Sequence, residues 1–558
     1  MRLAASDRAS ATALVELRNL VQRWKRIEIP FITPGVDLAR PVSGGAVSMP
    51  CVCTFQHRLP EPSFPSSFCC TAWAEIPKGV MDAFWTILRW RRRCLVRPGP
   101  YAHGNAFYRG PGEREALAAI DWALRTLPVD PARVAISGVS MGGTGTAHLA
   151  LRYPEQFSAA APLCGYHSYF VRRDTANRPL SEWERSRMRH WSPAEWAENG
   201  VLMPWWVAHG TRDFPLENSK VLIEALTRAG ASLTQEWPDT GHAVWEKTYA
   251  GARLFPWLTR PASRKEPLVI VTDSYRYATR RHAAITRLGR PGRMARLSVQ
   301  RVQDRLEVQT SDLEGFSLDA DHWPNLTTLR IDGVDQPRGT GALQFKRGDG
   351  GGFRRGLSQP APGEKQRGAE GPIRDVFNEA VVVSFGTERA ELRIAAREIA
   401  QAWAERFGAS ADLPVQPDFE LRDDAIRDQN LILVGTPSSH SWLRRFSSRL
   451  PLAVDDQSIS VAQSRFRAKG LGAVFMMQSP LRQDRTWVVI TAPDAAGLYL
   501  SRSLPALLPD FIVYDERVAD AAGEQVLGTT PVLAAGFYDH AFKPQSLATG
   551  PRKEDGGS

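Results

Sequence analysis

No apolar run in the 558 residues approaches the roughly eighteen that a helical membrane span requires, so the sequence predicts no membrane partner. Met1 to Ser10 is short, polar and charged and lacks an apolar centre, so no export signal is read there. The expectation is a cytoplasmic protein by default, with an exported protein whose start is incomplete as the alternative. Cysteine is scarce: six residues, five of them at Cys51, Cys53, Cys69, Cys70 and Cys94. A Cys-x-Cys followed sixteen residues later by Cys-Cys does not match the paired spacing that closes a tetrahedral zinc site, and His57 is the nearby imidazole, so no metal is expected. A basic stripe with interleaved aromatics is also missing. The net charge is +10, but the arginines are scattered and their one dense cluster is Arg89-Trp-Arg-Arg-Arg93, which argues against a nucleic-acid partner. Thr436-Pro-Ser438-Ser439 opens a helix without the lysine or the longer glycine pattern of a phosphate loop, and reads as an ordinary N-cap. No cofactor is predicted.

What is present centres on Arg133-Val-Ala-Ile-Ser-Gly138-Val139-Ser140-Met141-Gly142-Gly143. An apolar strand at Val134 to Ile136 runs into Gly-x-Ser-x-Gly, and Thr144 to Tyr153 has the composition of a helix. This strand, sharp turn and helix form a nucleophile elbow, with the Ser140 hydroxyl held above a sheet and the Met141 backbone N–H at a helix N-terminus, placed to bind an oxyanion. A serine hydroxyl needs a base, and the base needs an orienting acid. Both follow in order. Pro204 to Ala208 reads as a strand whose polar loop carries Asp213, Ser219 to Gly230 as a helix, and Leu233 to Trp237 as the next strand, whose loop delivers His242. That places both side chains at the C-terminal edge of a sheet, the edge at which open α/β sheets build their sites. Trp205, Trp206 and Trp245 stand near the acid and base in sequence, as pocket walls or as core.

Beyond these spacings, Val129-Asp-Pro-Ala-Arg-Val, Tyr153-Pro-Glu-Gln-Phe-Ser-Ala-Ala-Ala-Pro-Leu-Cys-Gly, His209-Gly-Thr-Arg-Asp and Gly241-His resemble the prolyl-oligopeptidase-like branch of the α/β-hydrolases, a set of serine peptidases with close esterase relatives. The resemblance covers about residues 98 to 260, within a catalytic domain placed at 98–261. It implies Ser140 as nucleophile, Asp213 as acid and His242 as base. It also implies an upstream strand ending in His-Gly, whose loop supplies a second oxyanion donor. No His-Gly precedes His103-Gly104, so that donor stays unassigned. Residues 1–97 form an atypical segment. Residues 41–97 carry no period of two or of 3.6 and read as a degraded or frame-shifted part of the hydrolase, which would leave the sheet without strands beside the catalytic one.

A composition change near residue 262 marks the next portion. Leu268 to Asp273, Tyr275 to Thr279, Ala295 to Gln300, Arg305 to Thr310 and Leu326 to Asp332 read as strands of a small β-rich module over 262–346. Residues 347–371, rich in glycine, proline and charge, read as a flexible linker. Strands at Ala380 to Phe385, Asn430 to Val434, Ala473 to Met477, Trp487 to Thr491 and Phe511 to Tyr514 alternate with helices at Glu388 to Phe407 and Ala495 to Leu508. They predict a second, three-layer, mostly parallel α/β domain over 372–540. The portion from about 264 to 540 resembles the C-terminal extension of some large bacterial members of the same hydrolase group. Residues 541–558 read as a disordered tail.

The expected fold class is therefore α/β: an α/β-hydrolase domain, a small β-rich module and a second three-layer α/β domain. The expected activity is acyl transfer on a peptide or ester substrate, with a serine peptidase first, a carboxylesterase second and a turnover-impaired binding protein third. The sequence sets no oligomeric state.

Overall fold

The computed structural model describes residues 49–55, 94–96, 107–126, 129–173, 175–176, 178–250, 253–258, 266–408, 413–521 and 532–545. The first sheet has the strand order β2-β1-β3-β4-β5-β6, built from β1 (Met49–Phe55), β2 (Cys94–Val96), β3 (Val129–Val139), β4 (Ala159–Leu163), β5 (Trp205–Ala208) and β6 (Leu233–Glu236). All of its pairings are parallel.

Parallel strands need crossovers, and helical segments provide them: α1 (Pro111–Thr126), α2 (Met141–Arg152), α3 (Glu182–Trp191) and α4 (Leu216–Arg228), while α5 (Val244–Ala250) and α6 (Leu254–Leu258) follow β6. Alternation along the strands splits the core in two. Val134, Ile136, Ala160, Trp205 and Val207 pack with α1, α2 and α4 on one face. Ala135, Ala159, Ala161, Trp206 and Ala208 pack with Val244, Leu254 and Trp257 on the other. With both faces covered, these strands read as continuous apolar or small-residue runs.

The same physics corrects the expectation for residues 41–97. Met49–Phe55 supplies the strand beside β3, with Cys53 in register with Ile136 and Thr54 with Ser137, and Cys94–Val96 the strand beyond it. A strand of a parallel sheet covered on both faces has no reason to alternate, so Met-Pro-Cys-Val-Cys-Thr-Phe lacks the period of two that would reveal it.

Two antiparallel five-stranded sheets follow. One has the order β14-β13-β11-β10-β7, from β7 (Leu268–Thr272), β10 (Ala295–Val302), β11 (Arg305–Ser311), β13 (Thr328–Ile331) and β14 (Val334–Pro337), with a single parallel pairing between β11 and β13. The other has the order β16-β15-β12-β9-β8, from β8 (Thr279–Arg280), β9 (Ala283–Leu288), β12 (Leu313–Asp319), β15 (Ala342–Arg347) and β16 (Phe353–Arg355). Leu297, Val299, Leu306 and Val308 of the first sheet share one core with Ile285, Phe316, Leu318 and Phe345 of the second, giving a β-sandwich.

Three expectations change here. Tyr275–Tyr277 is a 3₁₀ turn, not a strand. Residues 347–371 are not a free linker, because β16 pairs with β15 and Lys365 and Glu370 are buried. Within the expected tail, the Gln545 amide donates to the Phe537 carbonyl at 3.0 Å, while residues 546–558 lie outside the described residues.

The last large sheet has the order β18-β17-β19-β24-β23-β25-β26: β17 (Val381–Phe385), β18 (Val415–Pro417), β19 (Asn430–Val434), β23 (Gly472–Gln478), β24 (Thr486–Thr491), β25 (Phe511–Tyr514) and β26 (Ala534–Gly536). Between them lies a small three-stranded meander, β20 (Ala453–Val454), β21 (Ile459–Val461) and β22 (Ser464–Phe466). β17, β18, β19 and β24 pair in parallel, whereas β23, β25 and β26 join antiparallel, so the sheet is mixed and not mostly parallel. The long helix α7 (Ala390–Gly408) packs Ala395, Ala396, Ile399 and Trp403 into the core of this sheet.

Candidate active site

At the junction of β3 and α2, Ser140 takes φ 57° and ψ −117°, a region that a non-glycine residue enters only when the surroundings enforce it. The enforcement is visible. The Ser140 N–H donates to the Leu163 carbonyl at 2.9 Å, and the Thr144 N–H donates to the Ser140 carbonyl at 3.0 Å. A Cβ on Gly138 would lie 2.4 Å from the Gly142 carbonyl oxygen, so the turn closes only because position 138 has no side chain.

Asp213 and His242 arrive on two loops that are bonded to each other. The Thr211 N–H donates to the Pro238 carbonyl at 3.0 Å and the Arg212 N–H to the Thr240 carbonyl at 2.9 Å. Ser140 Oγ lies 2.8 Å from His242 Nε2, and His242 Nδ1 lies 2.8 Å from Asp213 Oδ2. With Nδ1–H donating to the carboxylate, Nε2 is left to accept the serine proton. The His242 side chain is 41% exposed whereas that of Asp213 is 6% exposed, so the imidazole meets solvent and the carboxylate does not. Met141 is the first residue of α2, where a backbone N–H has no intrahelical acceptor. The loop at His103-Gly104 lies outside the described residues.

One neighbour had no role assigned from the sequence. His209 Nε2 stands 3.0 Å from the same Asp213 Oδ2, and His209 Nδ1 is 2.7 Å from Ser219 Oγ. His209 is fully buried. Burial by itself would raise the Asp213 pKa, but the close approach of His209, the hydrogen bond from His242 and their charge outweigh it and hold the carboxyl at about 2. The available signal was the four-residue spacing from His209 to Asp213 across a glycine turn.

The tryptophans divide. Trp205 is fully buried in the core with its indole N–H donating to the Gly200 carbonyl at 3.0 Å, so it is a packing residue and not a pocket wall. Trp206, on the opposite face as strand alternation requires, is buried against Trp257 and donates to Glu236 at 3.2 Å. Only Trp245 of the three touches the site, its ring edge-on to His242 at 5.9 Å. Cys164, Asp213 and His242 have donor atoms within 4.8 Å of one another, a grouping that the His242–Asp213 hydrogen bond itself creates.

The parallel sheet, the strained serine turn and the two loops define an α/β-hydrolase fold for this part of the chain. Residues 114–267 match the family model described as a putative esterase. An acetylxylan esterase of Coprinopsis cinerea is 28% identical over 152 residues, covering 25% of this chain and 40% of its own length. The chain thus spans about two fifths of the curated relative it matches. Among solved structures, an S-formylglutathione hydrolase from Agrobacterium tumefaciens is similar at 18% identity over 39% of this chain and 85% of its own, with a TM-score of 0.29. The Pyrococcus horikoshii acylaminoacyl peptidase is similar at 18% identity over 39% and 38%, with a TM-score of 0.28.

Proposed function

We propose that the protein is a serine hydrolase of carboxylic esters, working by acyl transfer through Ser140, His242 and Asp213. The observation that carries this reading is the unbroken hydrogen-bonded chain from Ser140 Oγ through His242 to Asp213, at 2.8 Å on each side of the imidazole. His242 takes the proton of Ser140 as the hydroxyl attacks the substrate carbonyl. Asp213, ionised across the neutral range, fixes the tautomer and balances the imidazolium that forms. The Met141 N–H stabilises the oxyanion, and His242 then protonates the departing alcohol. Water, activated by the same imidazole, releases the acid and restores Ser140.

The esterase family match over residues 114–267 favours ester over amide. The motifs that resemble serine peptidases support the second reading, a prolyl-oligopeptidase-like peptidase. A panel of p-nitrophenyl esters against proline-containing peptide anilides separates them, with kcat/KM for the esters expected to be higher by about two orders of magnitude, equivalent to roughly 3 kcal/mol. A fluorophosphonate probe should label the wild type and not Ser140→Ala. A folded wild type that escapes labelling would mean a binding protein without turnover.

A further inference from the structure

We propose a second ligand site, for a small organic carboxylate, in the cavity where α3 meets the loop between β9 and β10, the segment around Glu370 and the segment after β26. The argument rests on which polar groups around this cavity are already satisfied and which are not. Its carboxylates are spent. Asp273 accepts from His190 Nδ1 at 2.7 Å. Glu370 accepts from Ser274 Oγ and the Arg276 N–H, each at 3.0 Å, and from the Tyr275 N–H. Asp510 holds Lys365 Nζ at 2.5 Å and the Tyr538 N–H at 2.9 Å.

The donors are not spent. Arg187, on α3, lines the cavity and is only 3% exposed, yet its Nε and Nη2 have no hydrogen-bond partner among the described residues. The Tyr538 hydroxyl, on the same lining and fully buried, has none either. A guanidinium stays charged at any accessible pH, so leaving two of its N–H donors dry is costly unless something fills the fork. Asp273 compensates that charge only through space, since its hydrogen bond goes to His190. The Phe537 ring, 5.9 Å from Arg187 Cζ, and Pro291 supply an apolar wall, while Arg290 at the lining is already paired with Asp312.

A planar fork of N–H donors matches a carboxylate. One unmatched cation beside Asp273 and the Lys365-paired Asp510 favours a monoanion over a phosphate dianion. The site shares no residue with Ser140, Asp213 or His242, so it stands or falls independently of the esterase reading.

The test is calorimetric titration of the full chain carrying Ser140→Ala, which removes turnover, with sodium benzoate, sodium acetate and inorganic phosphate; binding at the elbow would be indifferent to Arg187 and Tyr538. One carboxylate bound per chain, and phosphate weaker, is the expected result. Adding Arg187→Met should weaken benzoate by about tenfold to a hundredfold. Tyr538→Phe, which removes one oxygen and leaves the packing, should weaken it by about threefold to tenfold with an unchanged Tm. No heat at about 10 mM carboxylate, tighter binding of phosphate, or an unaltered Kd in Tyr538→Phe and in Arg187→Lys would each overturn the assignment.

Discussion

A single oxygen, Asp213 Oδ2, faces two imidazoles, and this sharing makes the acid more than a tether for His242. Removing the inner ring should loosen and partly neutralise the carboxylate without touching substrate. For His209→Gln we expect kcat to fall about tenfold to a hundredfold with KM nearly unchanged, the cost of one hydrogen bond to a charged group, and steady-state kinetics on an activated ester would measure it. A kcat equal to that of the wild type would reduce His209 to packing. Gly138→Ala acts on the other side of the site. Its methyl group would have to displace the Gly142 carbonyl, so labelling by a fluorophosphonate should slow by about 100-fold although the three reactive side chains are intact. At this scale the sequence was most legible, because Ser140, Asp213 and His242 follow strands in the order that the chemistry demands. His209 was hidden because a histidine before glycine in a loop carries no periodic signal, and its function lies in a contact across a turn. Trp205 and Trp206 were ambiguous for a different reason: adjacent residues on a strand face opposite ways, and only coordinates say which face leads to the site.

Among the elements, α1 is held by its first turn. Glu113, 1% exposed, accepts from His148 Nε2 at 2.8 Å, Tyr153 Oη at 2.7 Å, Arg276 Nε at 2.9 Å and Tyr277 Oη at 2.9 Å. Burial alone would raise its pKa, but the bond from His148 and the charge of Arg276 carry it well below the usual carboxylate range. Glu113→Leu leaves four buried or half-buried donors without their acceptor, so chemical denaturation should register a loss of about 3–5 kcal/mol. A loss below about 1 kcal/mol would mean that water or relaxation replaces the carboxylate. Tyr275–Tyr277 belongs to the same junction and explains a misreading. Its β-rich composition predicts a strand, but the N–H groups of Tyr275 and Arg276 are taken by the Glu370 carboxylate, 94 and 95 residues away, so the donors that a ladder would use are already engaged. Residues 347–371 were misread by the same logic in reverse. Glycine and charge look like solvated chain, yet Lys365 and Glu370 find buried partners that only the tertiary fold supplies.

Across the whole molecule, three sheet systems meet around buried charges, and no helix among the described residues is long and apolar enough to cross a membrane. Glu370 should make stability depend on pH. Burial, helped by the repulsion of nearby Asp273, raises its pKa to about 7 against the three hydrogen bonds that lower it, so the folded chain keeps a proton that the unfolded chain releases near the ordinary 4.5. Its contribution is therefore complete below about pH 4.5 and is lost as pH rises through 7, on the order of 3 kcal/mol. Thermal unfolding from pH 5 to 8 should show Tm falling in the wild type and a flatter profile in Glu370→Gln; parallel profiles would assign the slope to other groups. Glu113 reaches this junction from the opposite direction, since its acceptor oxygens sit in the front third of the chain while Arg276 and Tyr277 come from the sandwich behind it. Recombination that replaced the front third by the equivalent piece of another chain with the α/β-hydrolase fold would bring a similar elbow but no acid for that arginine to meet. How freely this gene can be shuffled, by lineage or by an engineer, is thus governed at a seam far from the chemistry.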